Sequence, residues 1–204
     1  MLVRPRLHPY AFHDLCLRGG TRGSLCVLLF FSGITLAAQE PEPAKKVVVG
    51  NLPVPDEPSQ LFYLQRDPDD NTVIYQLNMV DGEVDADEPV NVYWIRYAEG
   101  GTRKGLNFLQ RTMAYGISHK PLGDGAFELR LAAYKDHPLR LAYCENSETY
   151  RVYTTIDNHE AILERIFVRI DGGSMLSPNI LYFELTGQDT ATHARVSERI
   201  KPDQ

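Results

Sequence analysis

Apolar and polar residues alternate in short runs from Leu61 onward, and most of the runs are rich in β-branched and aromatic side chains. Such period-two runs, separated by turn residues, are the signature of strands rather than of βαβ units. Strands are predicted over Leu61–Arg66, Thr72–Val80, Pro89–Tyr97, Phe127–Lys135, Leu139–Cys144, Tyr150–Thr155, Ile162–Ile170 and Ile180–Thr186. Turn chemistry separates them: Asp67-Pro-Asp-Asp-Asn71, Asp81-Gly82, Asp136-His-Pro138, Glu145-Asn-Ser147, Asp157-Asn158 and Asp171-Gly-Gly173. Connections this short join antiparallel neighbours. The expected fold is therefore all-β, an antiparallel meander forming a β-sandwich or a partly closed barrel.

Two details refine that expectation. Phe127, Leu129, Leu131 and Ala133 alternate with Glu128, Arg130 and Ala132, so one face of that strand meets the core and the other meets water. Val90, Val92 and Trp94 fall on one face of their strand while Tyr93, Ile95 and Tyr97 fall on the other. That pattern belongs to a strand covered on both sides or wrapping a cavity. One short helix is predicted over Leu106–Tyr115, with Leu106, Leu109, Gln110 and Met113 on one face and Gly116 closing it.

The N-terminal part has a different texture. Residues 25–38 read LCVLLFFSGITLAA, an uncharged apolar run too short to span a bilayer, preceded by Arg18 and Arg22 and closed by small residues. This is the layout of a signal peptide cut after Ala38, with Ala37 as the alternative, which makes the product periplasmic or secreted, with no transmembrane span once the leader is gone. Residues 39–60 carry Pro41, Pro43, Pro53, Pro55 and Pro58, and are expected as an extended arm in which only Val47, Val48 and Val49 suit a short edge strand. The remainder, 61–204, is expected as a single β domain. Once the leader is removed roughly 165 residues remain, enough to bury about 68–70% of the unfolded surface without disulfide staples.

Charge and cysteine content narrow the function classes. Arg4, Arg6, Arg18 and Arg22 against Asp14 lie in the leader, so its removal takes the net charge from −6 to −9. An acidic chain without a basic, aromatic-interleaved patch argues against nucleic acid as partner. Cys16 and Cys26 are in the leader, leaving Cys144 without a partner for an intramolecular disulfide, and the end of an apolar run is expected to bury it.

The strings LFYLQRDPDDNTVIYQ, PVNVYWIRYAEGG, LQRTMAYGI and the closing YFELTG with VSERI resemble, in order and spacing, the bacterial domain-of-unknown-function 4833 family. The resemblance covers Leu61 to Ile200, and Tyr93-Trp94-Ile95, Arg111 and Tyr115-Gly116 are its most specific part. It implies one compact domain and supplies no catalytic residues.

No motif in the chain demands catalysis, a cofactor or a metal. The acidic stretch from Asp81 to Glu88 has oxygen ligands but not the EF-hand spacing, and Asp67, Asp69 and Asp70 are read as loop residues. His119, His137, His159 and His193 stand on separate loops without a zinc-ligand companion, and His137 and His159 are read as turn residues. Gly172-Gly173-Ser174 is not a nucleophile elbow. The remaining candidate is a ligand site of Trp94, Arg96, Gln110, Arg111 and Tyr115, where the helix crosses the third strand and arginines meet aromatic walls. Set against it, Arg111 is expected to neutralise a buried acid such as Glu184. The favoured function is a non-catalytic domain binding a small molecule or an envelope component. The rivals are an envelope hydrolase using Glu184 or Glu164, and a structural envelope protein.

Overall fold

Turns with left-handed residues cut the chain into strands. Asp81-Gly82 (φ 53° and 87°) and Asp157-Asn158 (φ 50° and 63°) adopt the positive φ that tight hairpins need and that Asp, Asn and Gly tolerate best. The computed structural model describes residues 47–49, 52–67, 69–173 and 178–201. The expected leader, 1–38, and the start of the expected arm lie outside the described residues.

The strands run β1 (Val47–Val49), β2 (Leu52–Val54), β3 (Gln60–Asp67), β4 (Thr72–Leu77), β5 (Met79–Val80), β6 (Glu83–Val84), β7 (Val90–Arg96) and β8 (Thr102–Gly105). A helical segment follows, α1 (Phe108–Gln110) continuing into a π-helical turn, Arg111–Tyr115. The chain closes with β9 (Ile117–Gly123), β10 (Ala126–Leu131), β11 (Tyr134–Cys144), β12 (Thr149–Ile156), β13 (His159–Gly173), β14 (Pro178–Asp189) and β15 (Arg195–Ile200). Among the described residues no helix is long and apolar enough to cross a membrane.

The protein is thus all-β with one short helical segment, its main sheet curled into a half-barrel. The meander comes in two pieces. β3, β4, β7 and β8 form one antiparallel wing, with β5–β6 as a small hairpin between β4 and β7. β9 through β15 form the other, each strand antiparallel to the next. The two are joined by a parallel pairing of β3 with β13, from Tyr63↔Arg165 to Asp67↔Arg169, which hairpin-length connections did not foretell. A parallel pair needs a long crossover, and here the crossover consists of all the strands between them. β14 occupies one edge of β13, while the other is shared by β12 over His159–Ile162 and by β3 from Arg165 on. The sheet therefore forks at β13, and the wings diverge around a hollow.

Five strands were not expected: β2 and β6 are short partners in two-stranded hairpins, and the other three stand at edges of the main sheet. β8 is Thr-Arg-Lys-Gly, β9 carries Lys120 and Pro121, and β15 alternates charged residues with Val196 and Ile200. Charge and proline protect edges from further pairing, and the same residues dilute the apolar alternation. The turn expected at Asp136-His-Pro138 instead lies inside β11, and the chain reverses at Ala132 and Ala133. The register jumps from Leu131↔Tyr134 to Leu129↔Leu139, so the extra residues form a bulge in which Pro138 breaks no ladder bond. Arg130 donates from Nη1 to the Lys135 carbonyl there, at 2.8 Å.

The core lies on the concave side, where Phe62, Val73, Tyr75, Trp94, Leu129, Leu141, Leu163 and Leu185 are buried. Phe62 stacks on Tyr75 with centroids 4.2 Å apart. A second, smaller cluster of Tyr63, Ile74, Ile95 and Tyr97 sits on the opposite face of the first wing, as the two-sided pattern of β7 predicts. The proline-rich segment covers it: the Gln65 amide donates to the Pro53 carbonyl, and the buried Glu57 accepts from Tyr93 Oη at 2.9 Å. The second half of the expected arm thus packs against the domain.

Candidate functional site

The hollow between the wings is a cavity of about 620 Å³. β3 contributes Leu64 and Arg66; β10 and β11 contribute Leu131, Tyr134, His137 and Leu139; β13 and β14 contribute Ile166, Val168, Ile170, Ile180, Phe183 and Leu185. The helical segment closes one side with Leu109, Gln110, Met113, Ala114 and Tyr115. The volume falls within the range of small-molecule pockets, and walls that are mostly aliphatic with a few convergent polar groups are the usual composition of one.

The wall formed by the helical segment is pinned at its C-terminal end. Tyr75 Oη donates to the Tyr115 carbonyl at 2.8 Å, and the Tyr115 ring meets the edge of Trp94 at 4.9 Å between centroids. Ala133 N donates to the Ala114 carbonyl at 3.2 Å. At the other end Asn107 and Gln110 form a reciprocal capping box, which satisfies the first-turn donors locally. Leu109 and Met113 line the cavity yet remain about half exposed, and Phe108 is 81% exposed. The apolar surface is therefore continuous from the cavity to the outside along this segment.

The polar groups gather in two places. Arg66 donates from Nη2 to Asp69 Oδ2 at 3.3 Å, and Asp69 Oδ1 accepts from the Asn71 amide at 2.9 Å. The Arg66 guanidinium also lies 5.7 Å from the Trp94 ring centroid. Burial pushes the Tyr115 hydroxyl upward, and Arg66 opposes that shift. On the other side His137 is bonded through Nε2 to Thr154 Oγ1 at 2.8 Å and stacks on Tyr134, which stacks on Phe183, both at 5.3 Å. Burial lowers the His137 pKa, so the imidazole is neutral at pH 7.

The five residues singled out from the sequence fall into two groups. Trp94 and Tyr115 do meet, and Arg96 lies 5.9 Å from the Trp94 ring while pairing with Glu99 at 2.8 Å. Gln110 and Tyr115 line the cavity, whereas Trp94 and Arg96 stand behind its wall. Arg111 points the other way, pairing with Glu88 at 3.4 Å with both side chains more than half exposed. The expected acid, Glu184, belongs to Arg199 at 2.7 Å. The correction follows from the turn itself, which places Met113 and Ala114 inward and leaves Arg111 on the solvent side. Cys144 is half-buried rather than buried. Hydrogen bonds from the Ser147 side chain, then from Tyr153, hold its thiol down to about 7.

Arg66, Asp69, Tyr134 and His137 were missed. Arg66 left a signal, because it shares parity with Phe62 and Leu64 in β3 and so is a charged residue on the apolar face. His137 left none, since its inward direction depends on the bulge. His159 bonds Asp189 at 2.6 Å through Nδ1, and His119 meets Phe127 edge-on at 6.1 Å. Among the described residues no three His, Cys, Asp or Glu side chains are grouped to hold a metal ion.

A family model described as a domain of unknown function (DUF4833) matches residues 62–199. The chain belongs to this family. Comparison with curated proteins and with solved structures gave no match. The matched DUF4833 segment begins in β3 and ends in β15, so it contains both wings, the fork and every wall of the cavity. The β1–β2 hairpin and the Glu57 segment precede the DUF4833 match.

Proposed function

We propose that this DUF4833 domain is an exported binding module that holds a small apolar molecule in the cavity between its wings. The observation that carries the reading is the cavity itself: about 620 Å³ walled by aliphatic side chains, bordered by the buried residues of the main core. Unfilled apolar walls forfeit the contacts that stabilise a core, so such a hollow is a cost unless something occupies it. The hydrolase reading has less support, because among the described lining residues Asp69 is the one carboxylate and is held by Arg66, while Glu184 and Glu164 are not on the lining. Export rests on the leader, and N-terminal sequencing of the product recovered from the producing cell should begin at Gln39 or one residue earlier.

The test is fluorescence of N-phenyl-1-naphthylamine, a neutral apolar dye. Wild type is expected to enhance and blue-shift it with saturable, micromolar affinity. Val168→Phe, which grows a wall residue into the hollow, should weaken binding at least about tenfold while the domain still melts cooperatively. Absence of enhancement, or equal binding by the variant, would overturn the reading.

A further inference from the structure

The chemistry of the cavity lining narrows the ligand class, an inference that rests on the binding reading above. The walls are chiefly Leu, Ile, Val, Met and Ala, which suits a flexible aliphatic chain better than a stack of rings. At one polar group Arg66 and Asp69 neutralise each other, and at the other burial lowers the His137 pKa, so neither presents a net charge to the cavity at neutral pH. We propose that the cavity takes a single-chain lipid with an uncharged, hydroxyl-bearing head, seated on the Arg66–Asp69 pair, and discriminates against the corresponding carboxylate.

Charge and donor balance at the ion pair select the head group. Arg66 has five N–H donors and engages Asp69 through Nη2. Each Asp69 oxygen takes one bond, from Arg66 and from the Asn71 amide, and each has a second lone pair. A hydroxyl head can accept from Arg66 and donate to Asp69 at once, leaving the ion pair intact. A carboxylate head can only accept. It would bring a second negative charge against Asp69 at a site where both side chains are about two-thirds buried, and would shed its own hydration to do so. A single hydrogen-bonding head on an ion pair also fixes which end of the chain sits at Arg66 and Asp69.

The experiment displaces N-phenyl-1-naphthylamine from the full chain with dodecan-1-ol or with dodecanoate at pH 8, and reads the ratio of their affinities. Wild type is expected to prefer the alcohol by about tenfold or more. Asp69→Asn keeps an oxygen for the Asn71 amide but removes the negative charge, so the preference should shrink by about tenfold. Arg66→Gln leaves Asp69 alone and should widen it. The opposite signs separate this mechanism from the greater apolarity of the alcohol, which all three proteins would report equally. A wild type that prefers dodecanoate, or a ratio unchanged by both substitutions, would overturn the proposal while leaving dye binding, and thus the cavity's role, intact. Failure of the dye to bind any folded variant or wild type would overturn both.

Discussion

Arg111 and Arg103 exchange the roles that their sequence contexts imply. Arg111 sits among apolar residues on a helix, yet its guanidinium reaches across the surface to the exposed Glu88. Arg103, in an edge strand without apolar residues, forks onto Glu57 from Nε at 2.9 Å and Nη2 at 3.0 Å. Glu57 is nearly fully buried and also accepts from Tyr93, whose hydroxyl is pushed up by burial first and by that carboxylate second. Exposed pairs contribute little, whereas removing one member of a buried pair strands the other's charge. Arg111→Ala is therefore expected to cost less than about 1 kcal/mol, and Arg103→Ala about 3 kcal/mol, with the melting temperatures from calorimetry ordered accordingly. An Arg111→Ala protein that melts lower than Arg103→Ala would refute this assignment. No local pattern marks Glu57, because burial of an acid in a proline-rich segment depends on where that segment lies, and alternation reports only the strand it is measured on.

At the scale of elements, the sequence is most legible where a strand has one wet face. The alternation in β10 placed Phe127, Leu129 and Leu131 inward, as the structure has them, and the two-sided pattern of β7 anticipated a covered strand. It failed at the edges, where β8, β9 and β15 trade apolar residues for charge and proline, and at the bulge in β11, where period two is interrupted. The helix was legible in place but not in kind. Its second half is wound as a π turn, which pulls the Arg111 carbonyl so close to Gly116 that a Cβ there would sit 1.9 Å from it. Gly116 has an ordinary extended backbone, so the need for glycine is one of space rather than of left-handed φ. π turns of this kind accompany functional sites, and this one sets the cavity wall through Met113 and Tyr115. Gly116→Ala should force that turn to rewind, lowering stability by more than about 1 kcal/mol and weakening dye binding together. Thermal melts and dye titrations of the same preparation check it, and wild-type values in both would show that the turn relaxes freely.

For the whole molecule, the wings were legible and their joining was not, because a pairing between β3 and β13 leaves no trace in either strand's own pattern. Both read as apolar strands; only the fold shows that one edge of β13 serves two partners. The same junction has a kinetic consequence. Arg165 reaches Gln65, a partner 100 positions earlier, so the first wing is made with an open strand edge that must wait for most of the remaining chain. Contacts so distant along the sequence carry a large loop-closure entropy before they return any stabilisation, and they slow folding. In pulse-labelled hydrogen exchange during refolding, the β3 amides that face β13 should gain protection together with Arg165–Arg169, and later than the β10–β11 hairpin; early protection of β3 would contradict this order. Until that moment the unpaired edge of β3 is the surface on which two nascent chains would pair by mistake, so the fork that opens the cavity also sets the window in which the protein is most exposed to aggregation.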